Sequence, residues 1–234
     1  MLFRSEISAS YLDEDILIID NVKVLQNPDP VRFQMNILAK HFYTAEKTEL
    51  IEQSMNHYSF SSYILFFFTF SFAGWLWEVF LHVYLDHALV NRGVLYGPWL
   101  PIYGFGGVLI LFLLRRFAKK PHHVFLMTML IAGTIEFVTG TILWEVYQMR
   151  WWDYRDSLIH LKGFVCLKGL LLFGTGGLLI LYLAAPKLNR WYQKLPGGFK
   201  TVLCVSLVCF FLTDVILSLI HPNTGFGVTI PRLS

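Results

Sequence analysis

Charge is scarce in this chain of 234 residues. Only 15% of the residues are Asp, Glu, Lys or Arg, whereas a soluble domain usually carries about 25%. The hydrophobic fraction is 55% and the mean hydropathy is positive. Several apolar windows of about 20 residues are long enough to cross a hydrocarbon core of about 30 Å. The first begins only near Phe60, too late for a cleavable signal peptide. We therefore predict an integral membrane protein and exclude a water-soluble globule.

Motifs for catalysis and cofactor binding are also missing. No GxxxxGK[ST] sequence occurs, so this chain cannot itself supply an ATPase motor. No HExxH motif or Ser/His/Asp set is present, and we predict no enzyme, no catalytic residue and no cofactor. Basic and aromatic residues do not interleave as in nucleic-acid-binding proteins, which predicts no nucleic-acid partner. The cysteines, Cys166, Cys204 and Cys209, lack metal-ligand spacing, and we interpret them as packing residues rather than a metal site.

The apolar windows predict an all-α polytopic membrane bundle of five transmembrane helices. They cover residues 60–83, 96–117, 122–147, 163–185 and 199–220. Thirteen Lys and Arg residues fall on one side of these spans, against five on the other, with Lys168 set just inside the fourth. Because positive charge is enriched in cytoplasmic loops, we expect a plasma-membrane protein with a cytoplasmic N-terminus and an external C-terminus.

Polar segments flank the predicted transmembrane domain, residues 58–222. Residues 1–57 hold nine acidic and five basic groups and predict an acidic cytosolic extension with a short strand pair and two short helices. The extension can hardly bury an independent core, so it either packs on the membrane domain or stays loose. A true start at Met55 is a third alternative. Residues 223–234 are expected to form a short outer tail.

Two stretches recur along the chain and predict a duplication. The sequence Leu-Trp-Glu-Val at residues 143–146 repeats residues 76–79 at an offset of 67, and residues 173–183 resemble residues 103–113 at an offset of 70. These matches predict two parallel helix hairpins, residues 60–117 and 122–185, followed by a fifth helix, residues 199–220. Chance similarity between helices rich in Leu and Gly is the alternative.

Ionisable residues within the predicted spans are the candidates for function. A charged side chain at mid-membrane costs about 2.5–3.5 kcal/mol even on insertion scales, so these residues should face one another or a hydrated cavity. One interpretation is an outward-facing cavity for a proton, a cation or a cationic solute. Its candidate ligand-binding residues are Glu78, Tyr96, Tyr103, Glu136, Lys168 and Asp214. The other interpretation is structural: Lys168 pairs with one or two carboxylates, Glu145 among them.

The predicted outer loops hold a further group of polar and aromatic residues. The proline pair Pro98 and Pro101 suits a broken start of a spanning helix, which membrane proteins tolerate where it is buried or lines a cavity. Residues 150–155, Arg-Trp-Trp-Asp-Tyr-Arg, suit either an interfacial aromatic belt or a lid over the cavity. The candidate lid residues are Asn91, Arg92, Arg150, Trp151, Trp152 and Asp153.

These motifs together carry a resemblance to a known family. The stretches that carry it are residues 72–79 (FAGWLWEV), 91–104 (NRGVLYGPWLPIYG), 136–139 (EFVT) and 150–154 (RWWDY), completed by Gly163, Cys166-Leu167 and Phe173-Gly174. In these residues the chain resembles the CmpB-like family of type IV ABC-transporter permeases, over roughly residues 59–185. The resemblance implies a multi-pass membrane permease with no assigned substrate.

The chain also departs from the family pattern. Lys162-Gly163-Phe164 stands where the family has Asn-Gly-Arg, and Leu170 stands where it has serine. Lys168 could compensate for the missing arginine, and a ligand role for this loop is left open.

From the residues and the resemblance together, we expect a permease-like transport component with a carboxylate-lined outward cavity. A separate ATPase subunit would dock on the basic inner loops or on the extension. The alternative is a non-transporting structural, lipid-interacting or assembly subunit. Expected partners are the lipid bilayer, the ATPase and a second copy of this chain.

Overall fold

A computed structural model describes Glu52, residues 57–225 and residues 228–229, all within one compact unit, Leu50–Ser234. This part of the chain is mostly helical. The strand pair and helices predicted for residues 1–57, and most of the predicted outer tail, lie outside the described residues. The helices and strands are α1 (Phe60–Asp86), α2 (Pro101–Leu114), α3 (Pro121–Tyr147), β1 (His160–Leu161), β2 (Val165–Cys166), α4 (Leu167–Leu179), α5 (Ala185–Gln193) and α6 (Gly197–Ile220).

Four helical stretches are long and apolar enough to cross a membrane. They are Phe60–Leu85, Pro121–Tyr147, Leu167–Gln193 and Gly197–Ile220. The segment predicted as the second span, residues 96–117, contains only the 14 residues of α2, which rise about 21 Å at 1.5 Å per residue. The helix begins at Pro101 because Leu100 is extended and residues before a proline avoid the helical region. That this segment also spans the membrane stays a prediction.

Local sequence fixes the ends of the helices. The Ser59 hydroxyl accepts a hydrogen bond from the backbone N–H of Ser62 and caps α1, as serine commonly does at this position. Pro121 starts α3, where its missing N–H leaves no helical bond unmade. His87 and Gln148 end α1 and α3 in the left-handed conformation, with φ of 52° and 55°.

The fourth predicted span, residues 163–185, is displaced toward the C-terminus. Residues 160–166 form a hairpin of β1 and β2 rather than the start of a helix. Lys162 and Gly163 turn the hairpin with φ of 51° and 74°. Downstream, a π-helical turn, Ile180–Ala184, joins α4 to α5, immediately before Pro186. A wider turn is one way to relieve the clash that a proline ring makes with the preceding helical carbonyl.

Helix α5 occupies part of the predicted loop 186–200. It packs on α1: Ser62 donates a hydrogen bond to Asn189 at 2.8 Å, and the Thr69 and Tyr192 hydroxyls are 2.7 Å apart. Tyr192 is fully buried. The charged residues Lys187 and Arg190 interrupt the apolar pattern, which is why hydropathy alone predicted a loop.

The first four helices form two antiparallel pairs held by glycines. Gly104 and Gly107 of α2 approach α1 so closely that a Cβ atom would overlap Phe67, Ser71 and Phe70. Gly174 and Gly177 of α4 approach Phe125, Met129 and Thr128 of α3 in the same way. Small residues commonly permit such close packing of membrane helices.

The glycines of α2 and of α4 contact residues at equivalent positions, which lie 58 residues apart in the sequence. The matching contacts are Phe67 of α1 with Phe125 of α3, Phe70 with Thr128, and Ser71 with Met129. The 67-residue register predicted from the Leu-Trp-Glu-Val copies differs from this one. Glu78 therefore corresponds to Glu136 in the packing, and not to Glu145, which is exposed.

The bundle has two chemically different ends. We call the end that holds the start of α1, the 115–120 turn and α5 the basic end, because eight Lys and Arg residues lie there: Arg115, Arg116, Lys119, Lys120, Lys187, Arg190, Lys194 and Lys200. The other end, where α1, α3 and α6 finish, is the carboxylate end, with Glu78, Glu136 and Asp214. A cluster of buried apolar side chains, including Phe66, Leu111 and Leu181, fills the bundle toward the basic end.

Large apolar side chains cover the outside of the helices. Phe72 of α1, Leu130 of α3 and Val205 of α6 are each about half exposed or more. Soluble monomers rarely show contiguous apolar surface on this scale. The exposed surface therefore fits hydrocarbon around the bundle.

Replacing Gly104 by alanine should destabilise the pair α1–α2. Its Cβ would lie 2.7 Å from the Phe67 carbonyl oxygen, and backbone cannot move aside cheaply, so we expect a loss of about 1–3 kcal/mol of unfolding free energy. The matched control is Gly106→Ala, where a Cβ meets nothing within 4 Å. Unfolding in detergent should show a lower midpoint for Gly104→Ala only. Equal midpoints for the two variants would contradict the close approach.

Candidate functional site

Three chain segments close the carboxylate end. We call them together the cap: residues 87–100, residues 148–166, and residues 221–225 with Val228. Asn223 joins the segments, because its side-chain amide donates to the Asn91 and Gly93 carbonyls and its N–H donates to the Val94 carbonyl. The Trp151 indole in turn donates to the Asn223 carbonyl at 3.2 Å. The cap is thus a hydrogen-bonded layer.

Arg92 connects the cap to the helices beneath it. Its guanidinium donates to the Val228 carbonyl at 2.9 Å and to the Trp151 carbonyl at 2.6 Å. Its Nε lies 3.7 Å from a carboxylate oxygen of Glu78 in α1 and makes no hydrogen bond. Only 10% of the side chain is exposed. A buried guanidinium requires such partners, because an unpaired buried charge is costly.

Glu78 and Tyr103 form the first carboxylate–phenol pair. The Tyr103 hydroxyl of α2 donates to Glu78 Oε1 at 2.7 Å, and Arg92 approaches the other oxygen. Gly74, one turn before Glu78, leaves room for the Tyr103 ring. The glutamate remains 25% exposed, so solvent reaches part of it.

Glu136 and Tyr154 form a second pair of the same kind. The Tyr154 hydroxyl of the cap donates to Glu136 Oε1 at 3.0 Å. Burial, with the charge and hydrogen bond of Glu136, raises the pKa of Tyr154 well above its ordinary value, so the phenol stays a donor. Glu136 is only 4% exposed, and its Oε2 has no hydrogen-bond partner in the part of the chain that the structure describes. Glu78 lies within electrostatic range of Glu136, and Tyr103 within range of both Tyr154 and Glu136.

Asp214 of α6 lies at the same end but serves a different set of donors. One oxygen accepts from the Tyr96 N–H at 3.0 Å and the Ser218 hydroxyl at 3.2 Å; the other accepts from the Gly97 N–H at 2.8 Å and the Trp99 indole at 2.7 Å. Four donors satisfy both oxygens, an arrangement typical of an anchor for the loop before α2. The Tyr96 side chain itself is exposed.

The remaining predicted residues lie away from the two pairs. Lys168 is exposed and makes no ion pair with any described residue, and so the predicted pairing of Lys168 with Glu145 is wrong. Asn91 accepts from the Trp75 indole at 2.7 Å and donates to the Tyr96 carbonyl. Trp152 donates to the Phe164 carbonyl at 2.8 Å. These contacts place Asn91 and Trp152 in the framework of the cap.

Arg150 and Asp153 stabilise the 148–166 segment. The Arg150 guanidinium lies 4.3 Å from the centre of the Phe164 ring and 3.9 Å from Asp153. Burial acts to raise the pKa of Asp153, but hydrogen bonds from Arg155, and the charges of both arginines, hold it below its ordinary value. Phe164 thus provides an aromatic surface for Arg150.

A small crevice opens in the cap beside these residues. It lies between Gly140 of α3 and Arg150, Trp151 and Phe164 of the cap, and it is too shallow to enclose a water molecule. Neither Glu78 nor Glu136 lines it.

Sequence reasoning did not single out Tyr154, Trp99 or Asn223. Tyr154 lies within the aromatic stretch 150–155, so its neighbours carried a signal. Asn223 lies beyond the last predicted span, where nothing in the sequence pointed to a contact with residues 91–94.

Asp214→Asn should loosen the loop before α2. The amide replaces one acceptor oxygen by a donor, so two of the four donors lose their acceptor, at a cost of about 1–3 kcal/mol. We expect faster hydrogen–deuterium exchange at residues 95–100. Glu145→Gln, which neutralises an exposed carboxylate, is the control. Unchanged exchange in Asp214→Asn would show that the loop is held by other contacts.

Comparison with known proteins identifies the family. No curated protein and no solved structure matches the chain. A family model described as "Putative ABC-transporter type IV" matches residues 65–219, which run from the second turn of α1 to the last turn of α6 and include most of the cap. The chain therefore belongs to this CmpB family of type IV ABC-transporter proteins.

Proposed function

We propose that the protein is a permease-like transport component in which Glu78 and Glu136 together take up one positive charge, a proton or a small cation. The observation that supports this most directly is the unpartnered Oε2 of Glu136, a carboxylate oxygen that is buried near a second carboxylate.

The local charge balance supports the proposal. Arg92 lies 3.7 Å from Glu78, and none of the described cations forms an ion pair with Glu136. Tyr103 and Tyr154 donate hydrogen bonds but carry no charge. Burying an uncompensated carboxylate is costly, and carboxylates that share a site tend to hold a proton or a cation between them. One added positive charge would balance the cluster.

The cap would control access to this cluster. Tyr154 belongs to the cap and bonds Glu136, and Arg92 belongs to the cap and pairs with Glu78. Glu136 is thus covered by the cap and Glu78 is partly covered, and Glu136 would open to an outward cavity only if the cap moved. The same contacts also support the alternative function, a structural subunit whose carboxylates only hold the cap in place.

We also propose that the two helix pairs are copies of one hairpin, with α6 as the added helix. The glycine contacts of α2 on α1 recur between α4 and α3. Tyr103 and Phe173, which correspond at the 70-residue offset, pack edge to face with ring centres 6.1 Å apart. In this arrangement Glu78 and Glu136 are counterparts, which accounts for a pair of carboxylates near the line where the copies meet.

Glu136→Gln tests the role of the pair. The amide keeps the shape and removes the uncompensated charge. We expect wild-type protein in detergent to gain thermal stability on acidification, or with one of Na⁺, K⁺ and tetramethylammonium at constant ionic strength. Glu136→Gln should lose that gain and, at neutral pH without the cation, unfold no earlier than wild type.

Glu145→Gln is the matched control, since it removes an exposed carboxylate from the same helix and should keep the wild-type response. If Glu136→Gln instead unfolds earlier and still responds to acid and cations like wild type, the pair is structural and the alternative function is favoured.

The energy source calls for a second experiment. We propose that a separate ATPase subunit docks at the basic end, and mild purification from the native membrane followed by mass spectrometry should recover it. Charge reversal at two exposed residues there, Lys119→Glu with Lys120→Glu, should reduce the recovery several-fold. Recovery of the chain only as a homo-oligomer with lipid would contradict the ATPase proposal.

A further inference from the structure

Two tyrosine hydroxyls lie buried without partners at the basic end. Tyr58, just before α1, is 8% exposed, and neither its hydroxyl nor that of Tyr63 makes a hydrogen bond to any described residue. The rings pack edge to face with centres 6.1 Å apart. Buried polar groups are nearly always hydrogen-bonded, so two such hydroxyls side by side indicate a missing acceptor.

A guanidinium lies beside these hydroxyls. Arg115 is held over the Phe112 ring at 5.9 Å, and Phe112 packs on Tyr63 with ring centres 6.5 Å apart. Arg115 interacts electrostatically with both Tyr58 and Tyr63. Within the described residues it makes no ion pair, so its positive charge is uncompensated there.

The surroundings repel cations and attract anions. Arg116, Lys119 and Lys120 follow Arg115 directly, and none of the Asp or Glu residues between positions 57 and 225 lies at the basic end. Burial raises the pKa of Tyr58 to about 12, an effect to which Tyr63 adds and which Arg115 opposes. The phenol therefore stays protonated at neutral pH and can only donate to an anion.

We propose that Tyr58, Tyr63 and Arg115 bind the phosphate group of an anionic phospholipid at the basic end of the bundle. Two hydroxyl donors and a guanidinium match the oxygens of a phosphate, for which arginine is well suited. The site lies where α1 begins, which is the depth of lipid headgroups if α1 crosses the bilayer. Basic pockets between helices at this level are known to bind anionic headgroups. This site is separate from the Glu78–Glu136 cluster and does not depend on its function.

Lipid retention by the purified full chain tests the proposal. Native mass spectrometry and thermal unfolding in detergent would compare phosphatidylglycerol, phosphatidylcholine with the same acyl chains, and inorganic phosphate. We expect preferential retention of phosphatidylglycerol, with a raised unfolding midpoint. The double variant Tyr58→Phe/Tyr63→Phe and the variant Arg115→Gln should each weaken it about tenfold, as expected for lost hydrogen bonds to a charged group.

Lys119→Gln is the control, because it removes an exposed charge four residues from Arg115, and its retention should stay within about twofold of wild type. Phenylalanine fills the space of tyrosine, so the double variant should fold; if it aggregates, the two single variants and Arg115→Lys carry the test. Equal stabilisation by inorganic phosphate, lost in the same variants, would confirm the phosphate site and assign it to a free anion.

Two results would overturn the proposal. Wild-type retention in all tyrosine and Arg115 variants, or an equal loss in Lys119→Gln, would show diffuse attraction rather than a built site. Loss of a co-purifying protein from these variants, with lipid retention unchanged, would assign the donors to an acidic protein side chain instead.

Discussion

The buried guanidinium of Arg92 is the contact on which the carboxylate end depends. It holds the Trp151 and Val228 carbonyls of two cap segments and faces Glu78 of α1 from a third. Besides Arg92, the hydrogen bonds of Asn223 and of the Trp151 indole join the three segments, together with the buried apolar cluster of Val90, Trp151 and Val228. A charge in this position is tolerated because each partner is an oxygen. The same charge sets the balance of the Glu78–Glu136 pair below.

The two ends of the bundle present opposite electrostatic situations. At the carboxylate end, Glu78 and Glu136 lie near each other, Arg92 pairs with Glu78, and tyrosines donate hydrogen bonds to both glutamates. At the basic end, every charged residue that lies between positions 57 and 225 of the sequence is Lys or Arg. The hydroxyls of Tyr58 and Tyr63 have no acceptor there among the described residues. Tyrosine suits both ends because its ring packs among apolar helices while its hydroxyl reaches a polar group.

Hydropathy predicted five membrane helices, and four of them correspond to helical stretches long and apolar enough to cross a membrane, because a long apolar run leaves few alternatives. It also placed Glu78 and Asp214 toward the same end, with Glu136 near the middle of its helix. It failed where local chemistry decides. Lys162 and Gly163 form the turn between β1 and β2, so α4 begins later in the chain than predicted. Helix α5 carries charged residues, yet one of its faces is buried through Tyr192. Partners across the cap, such as Asn223 with residues 91–94, depend on tertiary contacts that have no periodic signal.

Helix α2 has a consequence for the surrounding bilayer. Phe105 and Phe112 on its outer side are more than half exposed, yet the helix rises only about 21 Å, whereas α1 is 27 residues long. The hydrocarbon core of an ordinary bilayer would be thicker than the length of α2 by several ångströms on that side. If α2 spans the membrane, the bilayer beside it would have to thin, at a cost of a fraction of a kcal/mol for each ångström of mismatch. The protein should thus favour short-chain lipids along α2 and leave an asymmetric dent in the membrane.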